Sequence, residues 1–254
     1  MKPYLVFTKK EFLGNLRTFK LLIMGTVFLV LGLMNPFIAK YTPVLLEALA
    51  PEFTAGFPEP TALDSWMQFF SNVGQMGLLA LMIVFSGSLA SELRRGTLIN
   101  LLTKGLGRGT VILSKFTAAT VIWTGSYLLS LGVSAGFTAY FWGLDGLHNA
   151  FMAFAGLWLF GVLLISLLML GGVLFRRMYG ALLFAGGFIV ITSLVSIIPT
   201  ARRYNPITMA GENVALLNGS IDPSDIWPAA LLCIGLTAAV LYASKAIFDR
   251  SHAI

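Results

Sequence analysis

Charge is scarce in this chain, and so are cysteine and histidine. Only 11% of its 254 residues are charged, against about 25% in an average soluble domain. One cysteine, Cys233, stands inside an apolar run, which excludes an internal disulfide and a cysteine-based zinc site. His148 and His252 are far apart and unaccompanied, so no metal site is expected. No glycine is followed by lysine, so the G-x-x-x-x-G-K-[ST] loop that cradles phosphates is missing. The alternating ten-residue segments of a membrane β-barrel are missing too. Apart from Lys245 at the edge of the last, no Asp, Glu, Lys or Arg falls inside the long apolar runs. Ion-coupled carriers usually keep an ionisable group at the bilayer midplane, and intramembrane hydrolases need a polar catalytic set there. The chain is therefore expected to have no catalytic residues and no cofactor of its own.

What is present is hydrophobicity, 57% of residues with a mean hydropathy of +0.85. It is gathered in six runs, near 21–38, 66–90, 116–141, 151–175, 179–198 and 226–247. Each is long enough to cross a hydrocarbon core of about 30 Å as a helix, the form in which a single segment satisfies its own backbone in lipid. The expected fold is all-α: one transmembrane unit over residues 1–254, with six spans. The first twenty residues are read as retained, not as a cleaved signal, because no small-x-small site follows the first run.

The net charge of +6 fits a membrane protein better than a nucleic-acid binder, because the basic residues sit between the spans. Lys2, Lys9, Lys10, Arg17, Lys20, Arg94, Arg95, Lys104, Arg108, Lys115, Arg176, Arg177, Lys245 and Arg250, fourteen in all, fall on one side; Lys40, Arg202 and Arg203 fall on the other. The fourteen should be cytoplasmic, with both termini. In residues 3–20, Leu5, Phe12, Leu13, Leu16 and Phe19 share one helical face, which predicts an amphipathic helix lying in the membrane interface.

Segment 91–105 carries the most information. Glu92, Arg94, Arg95, Gly96, Thr97, Leu98, Leu101, Leu102 and Lys104 predict a short polar-and-leucine helix that starts after the second span and is stopped by Gly105. This stretch resembles ABC-2-type permeases, the membrane subunits of many bacterial ABC exporters. Members carry an acidic-x-x-x-Gly-Thr-Leu stretch after the second span, then a leucine pair, a Thr/Ser-Lys, a turn, an Arg and a Lys opening the third span. Glu92, Gly96-Thr97-Leu98, Leu101-Leu102, Thr103-Lys104, Arg108 and Lys115 match. Gly105 stands where proline is frequent, a departure expected to cost little because both residues end helices. The resemblance implies a coupling helix docked on an ATPase subunit present in two copies, which binds ATP and Mg. It also implies a second permease chain, identical or related, and a place in the bacterial plasma membrane.

Two polar faces are candidate pathway or dimer surfaces. Gln68, Ser71, Asn72 and Gln75 recur at helical spacing on the second span. Thr120, Thr124, Ser130 and Ser134 belong to a hydroxyl stripe from Thr117 through Tyr127 to Thr138 on the third. Both also suit helix–helix hydrogen bonding, including across a dimer for the second-span amides. Gly132-x-x-x-Gly136 is a close-packing signal. The resemblance to ABC-2 permeases implies short outer helices in loop 199–225, and the proline-bearing loop with Pro51, Glu52, Pro58, Glu59 and Pro60 is expected to be irregular. Apolar, hydroxyl-lined spans suit lipophilic or amphipathic cargo. The alternative function is an ATP-independent carrier or an assembly subunit of another membrane complex.

Overall fold

The computed structural model describes residues 2–49, 59–103, 105–144 and 146–250. Pro51, Glu52, Pro58, Lys104 and Asp145 lie outside them. Among the described residues every regular element is helical. Helix α1 covers Lys2–Arg17 and α2, Lys20–Leu49, holds the first span. The second span is α3, Ala62–Asn72, a π-helical turn at Val73–Gly77, and α4, Leu78–Arg95. A five-residue α5, Ile99–Thr103, precedes the third span, α6, Arg108–Trp142. The fourth and fifth spans are α7, Ala150–Phe175, and α8, Met178–Val195. Three short helices follow: α9, Pro199–Arg202; α10, Thr208–Gly211; and α11, Asn213–Leu217. The sixth span is α12, Pro223–Arg250.

The six apolar runs are six helices long and apolar enough to cross a membrane. Several outlast their runs, because the hydrophobic pattern reports the hydrocarbon layer whereas the backbone ladder continues into the polar layer. Span 2 runs through Arg95, so Ser91–Arg95 ends that span and does not start a separate helix. The third span starts at Arg108, which carries Lys115 two turns inside it.

Span 4 is the axis. Of its most apolar window, 78% is buried, against 17% for span 5 and 22% for span 6. Spans 2, 3, 5 and 6 and the outer helix α11 pack around it, while span 1 lies on span 3 and the start of span 2. Glycines permit the close crossings. A Cβ on Gly161 would stand 2.5 Å from the Trp123 indole, one on Gly171 2.8 Å from Ala181 Cα, and one on Gly32 2.9 Å from the Ser130 carbonyl. With no hydrophobic drive between helices in lipid, such approaches are what dispersion packing requires. Gly132 and Gly136, the pair the sequence pattern favours, have open space at their Cβ positions and play no part in packing this chain.

Candidate functional site at the basic end

Helix α1, the end of span 2, the start of span 3 and the end of span 6 meet at one end of the bundle, where the basic residues collect. Two left-handed glycines shape the segment that joins spans 2 and 3. Gly96 has φ 67 and Gly105 φ 87, angles that cost residues with a Cβ. At each glycine the next amide reaches back five residues, Thr97 N–H to the Glu92 carbonyl at 3.2 Å and Leu106 N–H to that of Leu101 at 3.1 Å. These are Schellman turns, which satisfy the last carbonyls of a helix. The first closes the end of span 2 and the second the end of α5. Gly105 does stop the helix, but in a conformation proline cannot adopt, so exchanging the two residues is not neutral here.

The leucines of the segment face their own chain. Leu98 is 2% exposed, and Leu101 and Leu102 pack against the hydrophobic core. Among the described side chains of the segment the exposed ones are Arg94, Arg95, Thr97 and Thr103, and these are polar or basic. Lys104 is outside the described residues.

Beneath this segment lies a buried charge cluster that spacing could not reveal. The Lys115 side chain is 1% exposed. Its Nζ donates to Glu11 Oε2 of α1 at 2.8 Å and stands 2.9 Å from Glu92 Oε2, an ion pair that lies outside hydrogen-bond geometry. Lys10 closes the group at 2.8 Å from Glu11 and 3.9 Å from Glu92. Burial by itself raises the Glu11 carboxyl pKa, but the Lys115 and Lys10 ammonium groups outweigh it and hold the carboxyl below its ordinary value. One buried lysine thereby joins three elements. Arg108 adds a fourth: its Nη1 donates to the Phe248 and Asp249 carbonyls at 2.6 and 2.7 Å, satisfying helix-end carbonyls of span 6.

Helix α1 is turned inside out relative to a soluble helix, although of the predicted apolar face Phe12 packs against the core and Phe19 lies beyond the helix end. Leu5, Val6, Leu13 and Leu16 are exposed, whereas Phe7, Glu11 and Asn15 are buried. The buried polar face is held by Lys115 and by a 2.8 Å hydrogen bond between Tyr4 Oη and Thr117 Oγ1. An exposed apolar face beside a bundle of spans is what an interfacial helix offers to lipid.

The two polar faces of the spans separate by role. Asn72 Nδ2 donates to Asn35 Oδ1 at 2.9 Å, Asn35 Nδ2 to Ser134 Oγ at 3.4 Å, and Ser134 Oγ to the Gly32 carbonyl at 2.9 Å. Spans 1, 2 and 3 are thus stitched inside the chain, as are spans 3 and 4 by Trp158 Nε1 donating to Thr124 Oγ1 at 2.9 Å. Ser130 and Ser134 are fully buried. Ser130 Oγ and Thr120 Oγ1 have no hydrogen-bond partner among the described residues. From Tyr127 to Thr138 the stripe is buried against neighbouring spans, whereas Thr117, Thr120 and Thr124 are half-buried and Thr124 and Tyr127 line a cavity of about 350 Å³. Gln68 is half-buried, and Ser71 and Gln75 are exposed; the last two line a slot of about 400 Å³ between spans 2, 4 and 5 and the outer helices.

The outer helices are pinned by asparagines. Asn205 Nδ2 donates to the Thr192 carbonyl at 2.6 Å, and Asn213 Nδ2 to the Ala153 and Met209 carbonyls at 2.5 and 3.0 Å. Arg202 and Glu212 form an ion pair across the loop.

No family model matches the chain. It is 24% identical over 247 residues, covering 94% of this chain and 95% of the relative, to the uncharacterized transmembrane protein YxlG of Bacillus subtilis (strain 168). Six apolar helices and a relative named as a transmembrane protein that aligns along nearly the full length make this a multi-pass membrane protein.

Proposed function

We propose that this chain is the permease subunit of an ATP-driven exporter of the ABC-2 type, moving lipophilic or amphipathic cargo out through the bacterial plasma membrane. The observation that carries the reading is the mounting of segment 91–108. Two fixed turns, the Lys115 cluster and the Arg108 clamp fasten it to α1 and to spans 2, 3 and 6. A push on such a segment moves the helices together, which is what a separate ATPase, closing on ATP and Mg, needs from a membrane partner. Two ATPase copies and a second permease chain, identical or related, complete the assembly. Both termini then lie in the cytoplasm. The coupling residues are Glu92, Arg94, Arg95, Gly96, Thr97, Leu98, Leu101, Leu102 and Lys104, in two roles: Arg94, Arg95 and Thr97 meet the ATPase, while Leu98, Leu101 and Leu102 anchor the segment to its own bundle.

The test is co-purification from membranes with the ATPase encoded beside the gene. Arg94→Glu with Arg95→Glu should abolish co-purification and leave the melting temperature of the permease unchanged. Retention of the ATPase by that variant, or transport by the chain without any ATPase, would count for the carrier reading instead.

A further inference from the structure

Gln75 sits roughly 20 Å along span 2 from Ala62, at about 1.5 Å per residue, and so within the depth of a hydrocarbon core of about 30 Å. It is exposed. Its amide donates to Ser71 Oγ, one turn back, at 3.2 Å and makes no other hydrogen bond among the described residues. An amide at that depth seeks partners that lipid does not supply. Its neighbour Asn72 finds one in Asn35; Gln75 finds none on another helix.

The backbone is unusual at the same place. The π-helical turn Val73–Gly77 widens the helix by one residue, a feature found frequently at functional sites. Val73 is fully buried, while Gly74 and Gln75 face the slot of about 400 Å³. A Cβ at Gly74 would meet nothing within 4 Å, so the missing side chain leaves room. The other walls are apolar, among them Phe70, Phe160, Ile189 and Val214, and none of the described lining residues is charged. That volume is of ligand size. It is too small for a second transmembrane helix, which measures about 10–12 Å across with its side chains.

We propose that this slot binds a small neutral amphipath, with Gln75 and Ser71 holding a head group that both donates and accepts hydrogen bonds (an amide or an alcohol) and the apolar walls taking its chain. A carboxylate or ammonium head finds no counter-charge there and is disfavoured. The inference rests on the chain being a transporter and names the class of its cargo, but not the energy source.

The full-length chain in nanodiscs, without any ATPase, is photolabelled with a diazirine-bearing dodecanamide and with its dodecanoate counterpart. The amide should label residues 67–78 and 207–214, compete with excess unlabelled dodecanamide, and exceed the carboxylate about tenfold. Gln75→Leu with Ser71→Ala, and separately Gly74→Leu, should each lower that labelling about tenfold and leave labelling near Phe151 and Trp158 unchanged. Labelling that the variants do not reduce, or that matches the lipid-facing surfaces of spans 5 and 6, overturns the proposal. So does a disulfide between two copies through Gln75→Cys in a Cys233→Ser background, which would put a second chain on this face. Because no ATPase is present, loss of ATPase co-purification leaves this result standing, and the reverse.

Discussion

The Trp123 indole cannot step aside for an added methyl at Gly161, because its Nε1 donates to the Trp158 carbonyl at 3.0 Å and the new Cβ would stand 2.5 Å from the ring. Gly161→Ala should therefore cost about 1–3 kcal/mol, the usual penalty of overpacking, and lower the melting temperature in detergent. Gly132→Ala, with open space at its Cβ, should stay within about 0.5 kcal/mol. Equal effects would mean that the seam between spans 3 and 4 is misassigned. The buried lysine gives a second contrast. Lys115→Met leaves Glu11, at 6% exposure, with Lys10 as its remaining partner and should destabilise the chain, though by less than the loss of about 3–5 kcal/mol that breaking a buried pair outright brings; adding Glu11→Leu should recover much of it. The same pair sets a pH dependence. Glu11's carboxyl is lowered on folding, so its contribution is fully present above its unfolded value of about 4.3 and is lost as pH falls through the lower folded value. Melting temperature should drop in that acid window in the parent chain and flatten in Glu11→Gln; a parallel drop in both would dissociate the effect from Glu11.

At the scale of elements, segment 91–105 is two helical pieces, the end of span 2 and α5, each closed by a glycine turn. Five helical residues cannot persist alone, since helix nucleation is costly; α5 is held between the Gly96 turn and the Gly105 turn, with Leu98 beneath it. Gly105→Pro forces φ to about −65° where the chain has 87. It should open the turn and speed proteolysis between residues 96 and 108, while Gly105→Asn, which tolerates the left-handed region, should behave nearly as the parent. Similar protection in both variants would show that the turn does not fix the segment. Phe19, with φ 59, makes the corresponding sharp joint between α1 and span 1.

At the scale of the whole molecule, the ends of the bundle differ in charge, and the tendency of positive residues to stay on the cytoplasmic side during insertion predicts that the basic end is cytoplasmic. Reporter fusions at the C-terminus and near Glu59 should register opposite sides of the membrane, the C-terminal one cytoplasmic; the same side for both would contradict six crossings. The exposed faces of spans 1, 5 and 6 are those left for lipid or for a second chain. Asn72 and Ser134 do not need a second chain, since Asn35 already joins them.

The sequence by itself determined the six apolar helices, the basic end and the stop at Gly105; the short helices before the last span came only with the family resemblance. The first three follow from local composition, because lipid screens each segment of about 20 residues separately. It did not determine partners. That Lys115 meets Glu11 104 residues away, that the hydroxyl stripe from Tyr127 to Thr138 is packed inside, that Gly161 and Gly171 are the crossing points and not Gly132 and Gly136, and that Leu98 points inward were decided by tertiary structure. Each depends on which face of a helix meets which neighbour, and in a chain apolar on nearly every side, periodicity no longer marks that face.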